Sequence, residues 1–289
     1  MNYVATPIEQ AIEKPRTLRR FLRHRLALTG GFIILVLIFA SAFGPYALPF
    51  SDLFIDIRHR FTPPFVSTHL LGTDQLGRDL LARLLMAGRV SLSIGVCAMI
   101  ISTVIGVTVG AIAGYYGRWV GKMLMRLTDA MLCFPSVFLL LTLSAFVQPS
   151  VTTIILIIAA TSWMEIARQV FIQIESLKTR DYAVSAQLLG ASDGYIIFRE
   201  LLPNAVGPIV VAATLTVARA ILMESYMSYL GYGVQPPHPS WGNMLNNSQQ
   251  YLTSSPWLAI FPGLMITAAV TSFNFLGDGL RDVLDPKND

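Results

Sequence analysis

Charge is what this sequence has least of. Only 13% of its 289 residues are Asp, Glu, Lys or Arg, against about 25% in a soluble chain. With 54% hydrophobic residues and a mean hydropathy of +0.58, a water-soluble domain is excluded and a membrane protein is indicated. Cysteine is nearly absent: Cys97 and Cys133 both fall in apolar runs, so no disulfide framework is expected. The four histidines, His24, His59, His69 and His238, are scattered without metal-ligand spacing, and no metal site is expected. No nucleophile–base–acid set is visible. A phosphate loop is missing too. Gly121-Lys122 is followed by Met123 where a hydroxyl is needed for magnesium, and Tyr116 stands where the first glycine must be. The chain is therefore expected to be no enzyme and to bind no cofactor, and any energy from ATP must enter from another polypeptide. No nucleic-acid partner is expected.

What the chain has is long apolar runs. A bilayer crossing needs about 20 residues, and six runs qualify: Leu26–Leu48, Val90–Tyr116, about Met123–Val147 (with Asp129 near its start and Pro135 inside), Val151 to about Arg168, about Asn204–Tyr229, and Pro256–Gly277. The fold class is all-α, a polytopic membrane protein with six transmembrane helices. Ala40-Ser41-Ala42 resembles a cleavage site, but the first run exceeds the 7–15 residues of a signal peptide's apolar region and reads as an anchor. Between the first two runs lies LGTDQLGRDLLARLLMAG. There Asp74 precedes Arg78, and Asp79 precedes Arg83, by the four residues that favour ion pairs on a helix. Leu76, Leu80, Leu81 and Leu84 share a face, which predicts a short amphipathic helix at the outer surface; a solvated helix held by its ion pairs is the other reading. Gly106, Gly110 and Gly114, four apart, suit close packing of helices in lipid.

Basic residues concentrate on one side. The tail (Lys14, Arg16, Arg19, Arg20, Arg23, Arg25), the second loop (Arg118, Lys122, Arg126) and the segment Arg168–Arg199 outweigh the opposite loops. The positive-inside rule places both termini in the cytoplasm.

One polar island, residues 171–203, interrupts the apolar pattern with helix punctuation. Asp181 is suited to cap a helix running from Tyr182, and Gly190 to end it in a left-handed residue. Ser192 and Asp193 offer a second cap, and Pro203 can stop or redirect the second helix. Two short helices joined by a glycine turn are predicted, a folded cytoplasmic elbow.

The elbow resembles the EAA loop of ABC importer permeases. Val184, Ser185 and Ala186 stand for Glu-Ala-Ala, followed by Gly190 and by Leu202-Pro203. The Glu is replaced by Val184, which removes any ion pair it would make with a partner. LGTDQLGRD and the run ESYMSYLGYGVQPPHPSWGNML, Glu224–Leu245, are similar to the oligopeptide/dipeptide/nickel branch of that family, and specifically to its second membrane subunit. The resemblance implies an ABC importer type I permease fold in a bacterial inner membrane. Residues 88–278 would form the transporter domain, preceded by a basic tail (1–25) and by a first helix with outer segment (26–87), and followed by a tail (279–289). It implies a homologous second permease, two cytoplasmic ATPase subunits that use ATP and magnesium, and an extracytoplasmic binding protein. The coupling loop would comprise Asp181, Tyr182, Ala186, Leu189, Gly190, Ala191, Asp193 and Pro203. Short peptides or similar amide solutes are the implied cargo, with nickel or its chelates as the alternative. An ion-driven secondary transporter, a different class, would show central acids and broken helices.

Arg219 stands alone deep in the fifth run. Glu224, five residues on, lies nearly opposite on a helix, and Asp129 lies at another depth. No acid of the chain is expected to answer Arg219. It is expected to line the translocation path or to meet the second permease, with Glu224 and Asp129 as further path candidates. An arginine snorkelling outward is the structural alternative.

Overall fold

The computed structural model describes residues 24–284 apart from 67 and 247. The tail up to residue 23 and the last five residues, on which part of the orientation reading rests, lie outside the described residues. Nine helices organise the rest. Helix α1 is Arg25–Ala47, and His24 caps it by accepting from the amide of Ala27 at 3.1 Å. Then come α2, Leu80–Tyr116, α3, Arg118–Leu132, and α4, Ser136–Ala145. Helix α5 is Val151–Leu177, capped by Ser150. The elbow helix α6 is Asp181–Leu188. Helix α7 is the continuous run Asp193–Tyr229, α8 is Trp241–Leu245, and α9 is Trp257–Leu284.

Helices α1, α2, α5, α7 and α9 are each long and apolar enough to cross a membrane. The expected third span is broken instead of straight: α3 and α4 meet at 81°. Pro135 explains the break, since the residue before a proline is pushed out of helical geometry. Among the described residues there is no strand, only an isolated bridge between Thr73 and Asp79.

The expected amphipathic helix at the outer surface does not exist as a separate element. Its leucine spacing continues into the second span, so α2 begins at Leu80 and the boundary at residue 88 falls inside one helix. Asp79 caps α2, accepting from Ala82 at 2.7 Å, and binds His69 at 2.8 Å instead of Arg83. Asp74 sits in a turn and takes both arginines, Arg78 at 2.7 Å and Arg83 at 3.5 Å. All four of these acidic and arginine side chains are buried. The segment is a plug packed into the protein, not a float lying on its surface. Two further spans also run beyond their apolar windows, α5 to Leu177 and α9 to Leu284, because charged side chains at a helix end leave its backbone bonds intact.

The glycine ladder forms the tightest joint. A Cβ on Gly106 would lie 2.7 Å from the Ile166 Cβ, on Gly110 2.4 Å from the Ala167 carbonyl, and on Gly114 2.8 Å from the Ile174 Cβ. Three side-chain-free positions on one face of α2 let the backbone of α5 approach. At one end of this joint, Ala183 of α6 packs with Ala111, Ile174 and Ile196 in one buried cluster. The exposed face of α1, by contrast, is Phe32, Leu35, Phe39 and Phe43, spaced as one apolar stripe suited to lipid.

Candidate functional site

The elbow is built from local rules. Lys178, just past α5, donates from Nζ to the Gly114 carbonyl at 2.7 Å and ties the ends of α5 and α2 together. Asp181 is not the cap. Arg180 occupies that position in extended geometry, and Asp181 is the first helical residue, without a side-chain capping bond. Its carboxylate still faces the positive end of the helix dipole. Partial burial pushes the Tyr182 phenol above its ordinary range, so this ring stays neutral.

Helix α6 ends as the glycine predicts. Gly190 has φ +81; its amide donates to Gln187 at 3.0 Å, and that of Ala191 to Ala186 at 3.1 Å. These paired bonds are the Schellman closure, which returns the last carbonyls of the helix to amide partners. Ser192 then caps the next helix by accepting from the Tyr195 amide at 3.4 Å. Asp193 accepts a hydrogen bond from the Tyr115 hydroxyl at 2.7 Å, fastening the elbow to the end of α2.

Pro203 does not stop the second helix, which runs on through it. Ile196–Leu201 is a π-helical turn, and the amide of Leu202 reaches back five residues to Ile197. The wider turn lets the chain pass a residue that has no amide to donate. The elbow is thus one short helix, a glycine turn, and the start of a membrane helix.

The apolar residues at its tip are uncovered. Leu188 and Leu189 are 83% and 87% exposed, and Phe198 is 70% exposed. Val184, in the place of the pattern's acid, is exposed as well, whereas Ala186 is half-buried against the elbow's core.

The charged residues of the spans form a second feature. Arg219 has a mate: Nη1 pairs with the Glu165 carboxylate of α5. Spacing along one helix cannot reveal this pairing across two, and Glu165 overturns the expectation that no acid of the chain answers Arg219. An unpaired arginine at mid-membrane costs at least about 2.5–3.5 kcal/mol; Glu165 offsets part of that. Asp129 pairs with Arg168 of α5 at 3.0 Å. Glu224 does not line a path, because it is 0% exposed and bonded to Ser91 and Ser228. Among the described residues no group of three or more His, Cys, Asp or Glu is placed to hold a metal.

Spanning helices, an ordered elbow with a bare apolar tip, and charges paired between spans fit a transporter's membrane subunit. Residues 106–289 match the family of binding-protein-dependent transport system inner membrane components, and residues 16–64 match the N-terminal TM domain of oligopeptide transport permease C. The chain belongs to this family: it is a multi-pass ABC importer permease of the oligopeptide/dipeptide branch, the second (C-type) membrane subunit. Similar relatives include a putative peptide permease protein of Brucella suis, 39% identical over 94% of this chain and 90% of the relative. A dipeptide transport system permease protein of Alkalihalophilus pseudofirmus is 38% identical, over 93% and 88%. A glutathione transport system permease protein of Pectobacterium atrosepticum is 38% identical, over 93% and 89%.

Proposed function

We propose that this chain forms one half of the membrane passage of an importer that carries short peptides inward. Three of its relatives bear names that specify peptides, dipeptides or glutathione, all amide compounds with free termini, and this favours peptide over nickel. Both termini and the elbow lie in the cytoplasm, following the basic residues. A homologous permease completes the passage. Two ATPase subunits use ATP and magnesium, and an extracytoplasmic binding protein delivers the cargo; this chain itself hydrolyses nothing and holds no cofactor. Residues 88–278 act as the transporter domain.

The observation that carries the reading is the elbow. Asp181, Tyr182, Ala186, Leu189, Gly190, Ala191, Asp193 and Pro203 belong to a coupling loop whose turn is closed by its own backbone bonds and whose leucine tip is bare. A lever transmits force only if it is stiff and gripped. Closure of the ATPase dimer would push on Leu188 and Leu189, and α7, continuous with the elbow, would tilt with it. The test is reconstitution: the four subunits in liposomes, with binding protein and a labelled dipeptide, should accumulate the dipeptide only with ATP. Accumulation driven by an ion gradient without ATP would refute the reading.

A further inference from the structure

Helix α5 carries a stripe unlike any lipid-facing surface. Thr161, Glu165, the adjacent Arg168 and Gln169, Ile172 and Ser176 follow at helical spacing on one side of the helix, and all are exposed or half-buried. Five of the six are polar. The opposite side of the same helix is Ile166, Val170 and Ile174, buried in one cluster with Ala111 of α2. A polar stripe half a membrane long faces water or a polar partner, since lipid cannot solvate it.

Two ion pairs sit on this stripe one turn apart, and each is made with a different helix. Glu165 meets Arg219 of α7, and Arg168 meets Asp129 of α3. Neither pair is closed off. The Arg219 and Glu165 side chains remain 57% and 49% exposed. Arg219 meets Glu165 through Nη1, and a guanidinium has five N–H donors in a planar fork, more than one carboxylate engages. Glu165 likewise keeps acceptor sites on its open side.

We infer that Glu165 and Arg219 form a subsite for the two termini of a zwitterionic peptide, the α-ammonium against Glu165 and the α-carboxylate against Arg219. The inference rests on the peptide reading above and names the residues that meet the cargo. The intrinsic pair and the peptide are two dipoles of opposite sense. Side by side their charges alternate in sign, and Glu165 and Arg219 each meet one terminus of the peptide while keeping one another. The protein pair need not break, because Arg219 bridges Glu165 and the incoming carboxylate with separate donors. With no peptide present the pair neutralises itself, which keeps an empty passage from holding bare charge. Side-chain recognition plays no part, so the site tolerates any side chains on a peptide short enough for both ends to reach the pair.

The assembled transporter in liposomes tests this, with binding protein saturated by a labelled dipeptide. Uptake per ATP hydrolysed should fall at least about tenfold in Glu165→Gln and in Arg219→Gln, with binding-protein-stimulated ATP hydrolysis retained. The exchanged double variant Glu165→Arg/Arg219→Glu rebuilds the pair but inverts the subsite, and uptake should stay low. Uptake unchanged in the single variants, or restored by the exchange, would reduce the pair to a strut between α5 and α7 and overturn the inference. Thr161→Cys, on the same stripe one turn from Glu165, with Cys97 and Cys133 replaced by Ser, needs no change to the pair. A water-soluble maleimide should label it, more slowly with dipeptide-loaded binding protein and ATP present. No labelling with or without nucleotide would mean a face sealed by the partner or lipid, and would also overturn it. A wild-type assembly that hydrolyses ATP but takes up no dipeptide overturns the peptide reading, and this one with it.

Discussion

Ser91 and Glu224 lie 133 positions apart, and the Ser91 hydroxyl donates to the Glu224 carboxylate at 2.9 Å inside the protein. The same hydroxyl accepts the amide of Trp241 at 3.2 Å. On the other carboxylate oxygen, Ser228 donates at 2.7 Å while accepting the amide of Val234 at 3.0 Å. One buried acid thereby holds, through two serines, both Val234 in the segment that joins α7 to α8 and Trp241 at the start of α8.

Removing that acid should loosen the whole segment. Glu224→Ala leaves two buried hydroxyls without an acceptor and opens a cavity, at a cost of about 3–5 kcal/mol. Glu224→Gln keeps the volume and one acceptor and should lose less. Thermal unfolding of the detergent-solubilised transporter measures both. An Ala variant as stable as wild type would remove Glu224 from this role.

The α2–α5 joint makes a second prediction. Gly110→Ala drives a methyl group to 2.4 Å from the Ala167 carbonyl, and backbone cannot yield as a side-chain tip can. A loss of about 1–3 kcal/mol is expected, read as lower membrane abundance and thermal stability. Gly194→Ala is the control, since nothing lies within 4 Å of its added methyl.

At Gly190 the constraint is backbone conformation alone. Its φ is +81 and nothing lies within 4 Å, so Gly190→Ala should cost only about 1–2 kcal/mol and leave transport measurable. Gly190→Pro fixes φ near −65° and deletes the amide bonded to Gln187. It should abolish uptake while the subunit still inserts. Uptake and immunoblotted membrane abundance, measured together, separate the two effects.

These contrasts show which chemistry is legible in a sequence. Gly190 and Ser192 act on their own next few residues, so their turn and cap can be read without knowing the fold. The register of Gly106, Gly110 and Gly114 is local too, and their close packing follows from it. Asp181 was expected one position earlier in role than it sits, because an acid serves equally as cap or first-turn residue. The Glu165–Arg219 pair is of another kind: it depends on how α5 and α7 are placed side by side, and neither helix encodes that alone. The passage of α7 through Pro203 was hidden for a related reason, since a π-helical turn has no sequence signature comparable to a glycine cap. Asp74 keeps its expected partner Arg78, but its second arginine, Arg83, and the His69 partner of Asp79 come from outside the expected register, which hid the burial of both acids.

Orientation has a direct check. Reporter fusions within 178–192 should report the cytoplasm, and fusions after Ser150 or within 235–255 the opposite side. An outward signal from 178–192 would contradict both the orientation and the coupling role.

The most direct test of the account is a cysteine at Leu189, the most exposed apolar side chain of the elbow. In the assembled transporter, with Cys97 and Cys133 replaced by Ser, Leu189→Cys should crosslink to an ATPase subunit through a short bifunctional maleimide, with a yield that changes when ATP binds. A cysteine at Leu156, exposed on α5 toward its other end, should give no such product. Crosslinking from Leu156 and none from Leu189 would contradict the assignment of the elbow as the ATPase contact.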